Sequence, residues 1–261
     1  REIRSTTHSL AAGDYSKRVT EPSIDELADL ARDVNALADE LESTEVSRAQ
    51  LISDVTHELR TPLTSIDGYV EGAADGVFTN DEMLGSVTEE TRRMRKLIDD
   101  LSLLSRAQEG SLVLERSDTD ISLLANETAE RLRPQFEAAG VTIAISSVPA
   151  VASVDQARIG QVLTNLLGNA LGHTRANGVV AMTVKEDSGV VAVTITDDGD
   201  GISKEDLPHV FDRFYRGTTT SRAGTGIGLA IARDIVDAHG GEITATSAGP
   251  GTGATFAIRL P

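Results

Sequence analysis

The segment HELRTPL, residues 57–63, sets a histidine beside a carboxylate within a long run of helical spacing. The hexapeptide NLLGNA, residues 165–170, sets two amides one turn apart on a second such run. The first offers a nucleophile with a proton acceptor next to it, and the second offers oxygen donors suited to a hard cation and its phosphates. On a wheel of about 100° per residue, Val55, Leu59, Leu63 and Ile66 gather on one side and His57 falls nearly opposite, so the histidine is predicted to face solvent. A lone helix histidine is ordinarily just a solvated side chain. Here Glu58 can accept from one ring nitrogen, fixing the tautomer so that the other presents its lone pair. Thr61 lies one turn along the same face, where it can position a water. Pro62 cannot donate to the Glu58 carbonyl, which predicts a kink just past the histidine.

Working outward, residues 46–76 read as one helix, 76–80 as a break, and 81–107 as a second helix with apolar Leu84, Val87, Met94, Ile98, Leu101 and Leu104. A two-helix hairpin cannot cover both apolar stripes. The economical solution is a homodimer whose two hairpins form a four-helix bundle. Upstream, residues 24–41 place Leu27, Leu30, Val34, Leu37 and Leu41 three and four apart, a coiled-coil seam. Gly13-Asp14 and Glu21-Pro22 bound a connector at 15–20 that can run extended beside the helices. Helix, connector and helix, with Asp25-Glu26 opening the second helix, resemble a HAMP signal relay lacking its first residues.

With 261 residues the chain suggests two or three folding units. Its 41 acidic against 24 basic side chains give a net charge of -17, which disfavours nucleic acid and anionic membrane as partners. No cysteine is present, so disulfides, thiolate nucleophiles and cysteine zinc sites are excluded, and a reducing compartment, the cytoplasm, is the default expectation. No apolar run long enough to span a bilayer and no signal peptide is visible. The abrupt start at Arg1, already helical in pattern, reads as a cut from a longer protein.

Past a Glu-Gly-Ser seam near residues 108–111, strand-like runs at 112–115, 141–146, 179–185, 190–196, 242–247 and 254–260 alternate with helical patterns at 121–139, 155–173 and 226–239. Several strands follow one another closely, which predicts a mixed or largely antiparallel sheet with helices on one face, an α/β sandwich. On the helix at 155–173, Gln161, Asn165, Asn169 and His173 form a polar stripe, while Ile159, Val162, Leu163, Leu166 and Ala170 supply the buried side. Asparagine is a modest helix former, so two in one stripe point to a ligand role.

DVTHELRTPLTSI, residues 54–66, resembles the phosphoacceptor box of sensor histidine kinases of two-component signalling. By that resemblance His57 receives the phosphoryl group, Glu58 is the general base, and Thr61 orients water in the reverse, phosphatase reaction. NLLGNALGHT resembles the family's N box, which makes Asn169 the Mg²⁺ ligand with Asn165 and His173 beside it. Asp197-Asp198-Gly199-Asp200-Gly201 resembles the first glycine box, whose leading carboxylate accepts from the adenine amino group; guanine lacks that donor. FDRFYR, with Phe211, Phe214 and Arg216, resembles the F box. Residues 223–229, with Gly224, Thr225, Gly226, Gly228 and Leu229, resemble the second glycine box, where backbone N–H groups cradle phosphate. The stretch with Gly251, Gly253, Thr255 and Phe256 resembles the closing glycine-containing strand.

The resemblance implies a multidomain α and α+β protein: a partial HAMP relay at 1–46, a dimeric four-helix-bundle hairpin at 47–108, and an α/β sandwich of the GHKL type binding ATP at 111–261. It implies autophosphorylation on His57 from ATP and Mg²⁺ under a lid at about 217–226, then transfer to an aspartate of a response regulator docking around Ser65, Tyr69 and Gly72. It also implies a full-length protein in the plasma membrane with this portion cytoplasmic. Three departures mark the pattern. Gly172 stands where relatives often carry a lysine or arginine, which would pass a phosphate contact to His173, Arg175 or Arg216. Ala223 replaces a further glycine, and Asp198 and Asp200 add negative charge near the adenine position. Two other readings stay open: an ATP-hydrolysing clamp of the same nucleotide fold, disfavoured because Asn165 stands where those enzymes use glutamate, and a phosphatase-biased relay.

Overall fold

The absence of glycine and proline from residue 25 to residue 61 lets one helix run through the whole front of the chain. In the computed structural model, which describes residues 2–20, 25–108, 113–187, 189–217 and 226–261, α1 spans Glu2–Ala11 and α2 spans Asp25–Ala74 without a break. The relay-like and hairpin-like patterns, expected as separate helices, are therefore one continuous helix that runs through Pro62. Contacts divide the chain into two units, Arg1–Met83 and Leu84–Pro261.

In the first unit the connector is pinned to α2. The Asn35 amide donates to the Val19 carbonyl and accepts the Val19 N–H, at 2.9 and 2.8 Å. Arg18 bridges Asp39 and Glu42, each at 2.6 Å. Val19, Leu10, Ala31 and Ala38 are buried there. Elsewhere the apolar stripe is bare, with Leu37 51% and Leu63 52% exposed. At the end of α2 the Tyr69 and Phe78 rings lie 5.4 Å apart. A reciprocal cap then starts α3 (Asn80–Gln108): Thr79 N–H donates to the Glu82 carboxylate, and Glu82 N–H to the Thr79 hydroxyl.

In the second unit β1 (Ser117–Asp120) pairs antiparallel with β3 (Val151–Val154), and α4 (Ile121–Ala138) and β2 (Thr142–Ser147) lie between them in sequence. The predicted strand at 112–115 is not formed: residues 113–116 have no regular structure, Leu112 lies outside the described residues, and the polar run SDTD pairs instead. After β3 come α5 (Gln156–His173), β4 (Val179–Asp187), β5 (Val190–Asp197), α6 (Gly228–Ala238), β6 (Glu242–Thr246) and β7 (Thr255–Leu260). The main sheet has the order β2-β4-β5-β7-β6, parallel between β2 and β4 and antiparallel elsewhere. Alternation of buried residues along it, with Met182 opposite Ile195 and Ile195 opposite Phe256, makes one apolar face. α4, α5 and α6 pack in a row against the sheet.

Asp155 caps α5, accepting from Arg158 N–H at 3.1 Å, and its own N–H donates to Nε2 of His239 at 3.0 Å. Nδ1 of His239 donates to the Ile235 carbonyl at 2.7 Å, so this ring, 1% exposed, joins the start of α5 to the end of α6 as a neutral imidazole. His239→Ala is expected to cost about 2–4 kcal/mol through the cavity and the orphaned Asp155 N–H. A lowered thermal midpoint by circular dichroism would show it, with His239→Gln recovering part. No helix among the described residues is long and apolar enough to cross a membrane.

Candidate functional site

α5 presents Asn165, Asn169 and His173 to a cavity of about 370 Å³ within the second unit. The end of β5 contributes Asp197, and the loop after it contributes Gly201. The start of α6 contributes Gly228 and Leu229, with Gly226 just ahead, and Arg216 reaches the wall from the FDRFYR segment. Nine residues singled out in sequence from four separate stretches thus meet at one hollow.

Asp197 is the best-defined of them. It is 5% exposed, and its Oδ1 accepts from Gly199 N–H at 3.0 Å and Ala254 N–H at 3.2 Å. Its second oxygen has no hydrogen-bond partner among the described residues and remains an acceptor for the cavity. Burial pushes this carboxyl above its ordinary value of 3.8, opposed by the two N–H groups and by nearby His173. A fixed carboxylate acceptor in a small hollow suits a ligand that offers an amino donor.

Asn165 Nδ2 donates to the Gly228 carbonyl at 3.0 Å, tying α5 to the first turn of α6 and leaving the amide oxygen as an acceptor. Ile227 makes no side-chain cap, so the leading N–H groups of α6 carry no side-chain partner of that kind and face a site suited to an anion. The base of the following segment is stitched by Phe214 N–H donating to the Gly226 carbonyl at 3.0 Å. Gly226 has φ +67°, and a Cβ there would lie 2.7 Å from the Phe214 carbonyl carbon, so glycine is required. That positive φ is also why α6 begins at Gly228 rather than at 226 as expected.

Gly199, Phe211, Phe214 and Thr255 do not line the cavity. Gly199 holds Asp197, Phe211 packs edge-on against the lining residue Phe256 at 6.2 Å, and Thr255 shares a 3.0 Å hydrogen bond with Thr196. They support the walls. Gly224 and Thr225 lie outside the described residues, as do Ala223 and most of the expected lid. Sequence reasoning missed Lys96, Asp206 and Tyr215, which do line it. Tyr215 donates to Asp206 at 2.6 Å, and this pairing holds the phenol above its ordinary value. Tyr215 stood within the quoted FDRFYR, but only the fold sets it against Asp206.

The departures find local answers. Gly172 lines the wall, as do His173 and Arg216, whereas Arg175 does not line the cavity and pairs with Asp200 at 3.3 Å. Asp198 accepts the Val179 N–H at 2.9 Å. Neither added aspartate lies in the cavity wall, because backbone and arginine partners hold them beside it.

In the first unit, His57 and Thr61 are exposed on α2, Glu58 is half-buried, and the Thr61 hydroxyl lies 3.5 Å from the His57 carbonyl. An accessible imidazole beside a carboxylate can act as a nucleophile with a local proton acceptor.

Three family models match: the HAMP domain over residues 1–43, the His Kinase A (phospho-acceptor) domain over 47–110, and the histidine kinase-, DNA gyrase B-, and HSP90-like ATPase over 154–261. The chain belongs to the sensor histidine kinases. Among curated relatives of that family, the signal transduction histidine-protein kinase BaeS of Escherichia coli is 37% identical over 98% of this chain and 56% of its own length. The chain thus spans about half of that relative. Of solved histidine kinases, AdeS of Acinetobacter baumannii superposes with a TM-score of 0.67 at 28% identity, covering 78% of this chain and 96% of that one. Full-length ShkA in complex with AMPPNP gives 0.59 at 27%, covering 82% and 45%. In a sensor histidine kinase the matched ATPase region uses ATP, and the cavity described above is enclosed by that region and by Lys96 of α3.

Proposed function

We propose that the chain autophosphorylates on His57 from ATP bound in the cavity of the second unit and passes the phosphoryl group to an aspartate of a response regulator. The observation that carries this reading is Asp197, whose buried carboxylate is anchored by two N–H groups with one oxygen left for the adenine amino group. The ATP-analogue complex of ShkA is in keeping with a nucleotide there.

In the reaction, an imidazole nitrogen of His57 attacks the γ-phosphorus. The N–P bond forms as the bond to the ADP oxygen breaks, and the ring proton passes to Glu58. Positioning and charge neutralisation supply most of the acceleration. The amide oxygens of Asn169 and Asn165 are hard donors of the kind Mg²⁺ takes together with waters and phosphate oxygens, and no cluster of three acidic, histidine or cysteine side chains competes for a metal among the described residues. Bound there, Mg²⁺ would neutralise phosphate charge. Asn165 cannot deprotonate water, and its NH₂ is committed to Gly228, which favours transfer to histidine over hydrolysis. In the reverse direction Thr61 orients water against the phosphorylated regulator, giving phosphatase activity.

The uncovered stripes, with Leu37, Leu63 and Ile98 each about half exposed, support a homodimer in which two hairpins bury them. Residues 1–46 are the relay, 47–108 the dimerisation and phosphotransfer hairpin, and 111–261 the ATP-binding domain, and the native protein is anchored in the plasma membrane with this portion in the cytoplasm. The net charge of -17 argues against nucleic acid as a partner. Incubation with γ-labelled ATP and Mg²⁺ tests the activity: label on the protein that survives alkali and is lost in acid is expected, and ATP binding with no such label would sink the reading.

A further inference from the structure

Among the described residues two carboxylates stand in the cavity wall, Asp197 and Asp206, and both are buried. A nucleoside triphosphate would bring about four more negative charges at neutral pH, so the wall needs cations where the phosphates lie. Among the described lining residues the permanent cations are Arg216 and Lys96. α5 offers none among the described lining residues: Gly168 and Gly172, one turn apart on the wall, bring no side chain to it.

Lys96 reaches the wall from another element, α3. It lies on the exposed face of α3, while the next residue, Leu97, is buried and holds the turn in place. Among the described residues no carboxylate forms an ion pair with the Lys96 ammonium, whose charge is felt by Asp100, one helical turn on. A lysine left unpaired at a cavity wall keeps three donors available on a flexible stem.

Resting on the nucleotide reading above, we propose that Lys96 is a phosphate-binding residue of the site, reaching the β- or γ-phosphate of ATP from α3. The nucleotide then touches a helix outside the ATPase-like sandwich, and its outer phosphates, not its base, make that contact.

The test measures binding of ATP, ADP and adenosine to the full chain by displacement of a fluorescent nucleotide, at low and high salt, for the wild type, Lys96→Ala, Lys96→Glu and Lys96→Arg. Lys96→Ala should weaken ATP about five- to tenfold, ADP no more than ATP, and adenosine not at all. The loss should shrink at high salt, deepen in Lys96→Glu and be largely restored in Lys96→Arg. Because Lys96 is exposed, thermal midpoints should stay unchanged. Unaltered ATP affinity in both Lys96→Ala and Lys96→Glu would overturn the proposal while leaving the nucleotide site intact, and so would equal losses of ATP and adenosine. A wild type that binds none of the three ligands would overturn the nucleotide reading itself, and this proposal with it.

Discussion

His57→Gln is expected to reduce acid-labile labelling from γ-labelled ATP to background while leaving ATP affinity within about twofold of wild type and the thermal midpoint unchanged. The imidazole is exposed on α2, so no packing is lost and no buried partner is orphaned. What disappears is the only side chain in the HELRTPL segment able to form an N–P bond at neutral pH. The amide keeps a similar size and polarity, so the split between chemistry and binding is clean. Glu58→Gln gives a second reading of the same site: it retains the nucleophile and removes the proton acceptor, so labelling should fall about 10²- to 10⁴-fold without vanishing. Residual full-strength labelling in His57→Gln would mean that another residue accepts the phosphoryl group.

Asp197→Asn should weaken ATP by about 10²- to 10³-fold and at the same time make the nucleotide-free protein more stable at neutral pH. The first effect follows from losing a charged acceptor and facing the adenine amino group with an NH₂, together about 3–4 kcal/mol. The second follows from linkage. Burial raises this carboxyl above its ordinary 3.8, so the ionised form costs the native state more than the unfolded one. Below the unfolded value the group is protonated in both states and contributes nothing; as pH climbs through the raised native value, stability falls and then levels off. Asparagine still accepts the Gly199 and Ala254 N–H groups and carries no charge, so its advantage in thermal midpoint should appear above about pH 4 and fade below it. A variant equally stable at all pH values would mean that Asp197 bears no burial strain, and one with undiminished ATP affinity would remove it from the site.

The helical front was legible because spacing of apolar residues is a local signal: the α3 stripe and the outward direction of His57 follow from a repeat that needs no distant partner. The break expected before residue 46 was not there, since two functional patterns were read as two helices although no residue between 25 and 61 can end one. The β1–β3 ladder escaped for the opposite reason. Four-residue strands carry too short a pattern to see, and the polar SDTD run is a strand only because Val151–Val154 lies across from it.

By itself the sequence determined the kinds of chemistry: an imidazole beside a carboxylate, paired amides on one helix face, an aspartate followed by glycines, and two uncovered apolar stripes. These are properties of neighbours in the chain, carried by covalent order and helix period. Only the tertiary structure decided which of them share a wall. It brought the end of β5, the α5 stripe and the start of α6 to one cavity, moved Asp198 and Asp200 aside onto backbone and arginine partners, and set Tyr215 on Asp206. It also brought Lys96 to that wall from a helix with no sequence signal linking it to the site, because packing joins residues by distance in space, which no spacing along the chain records.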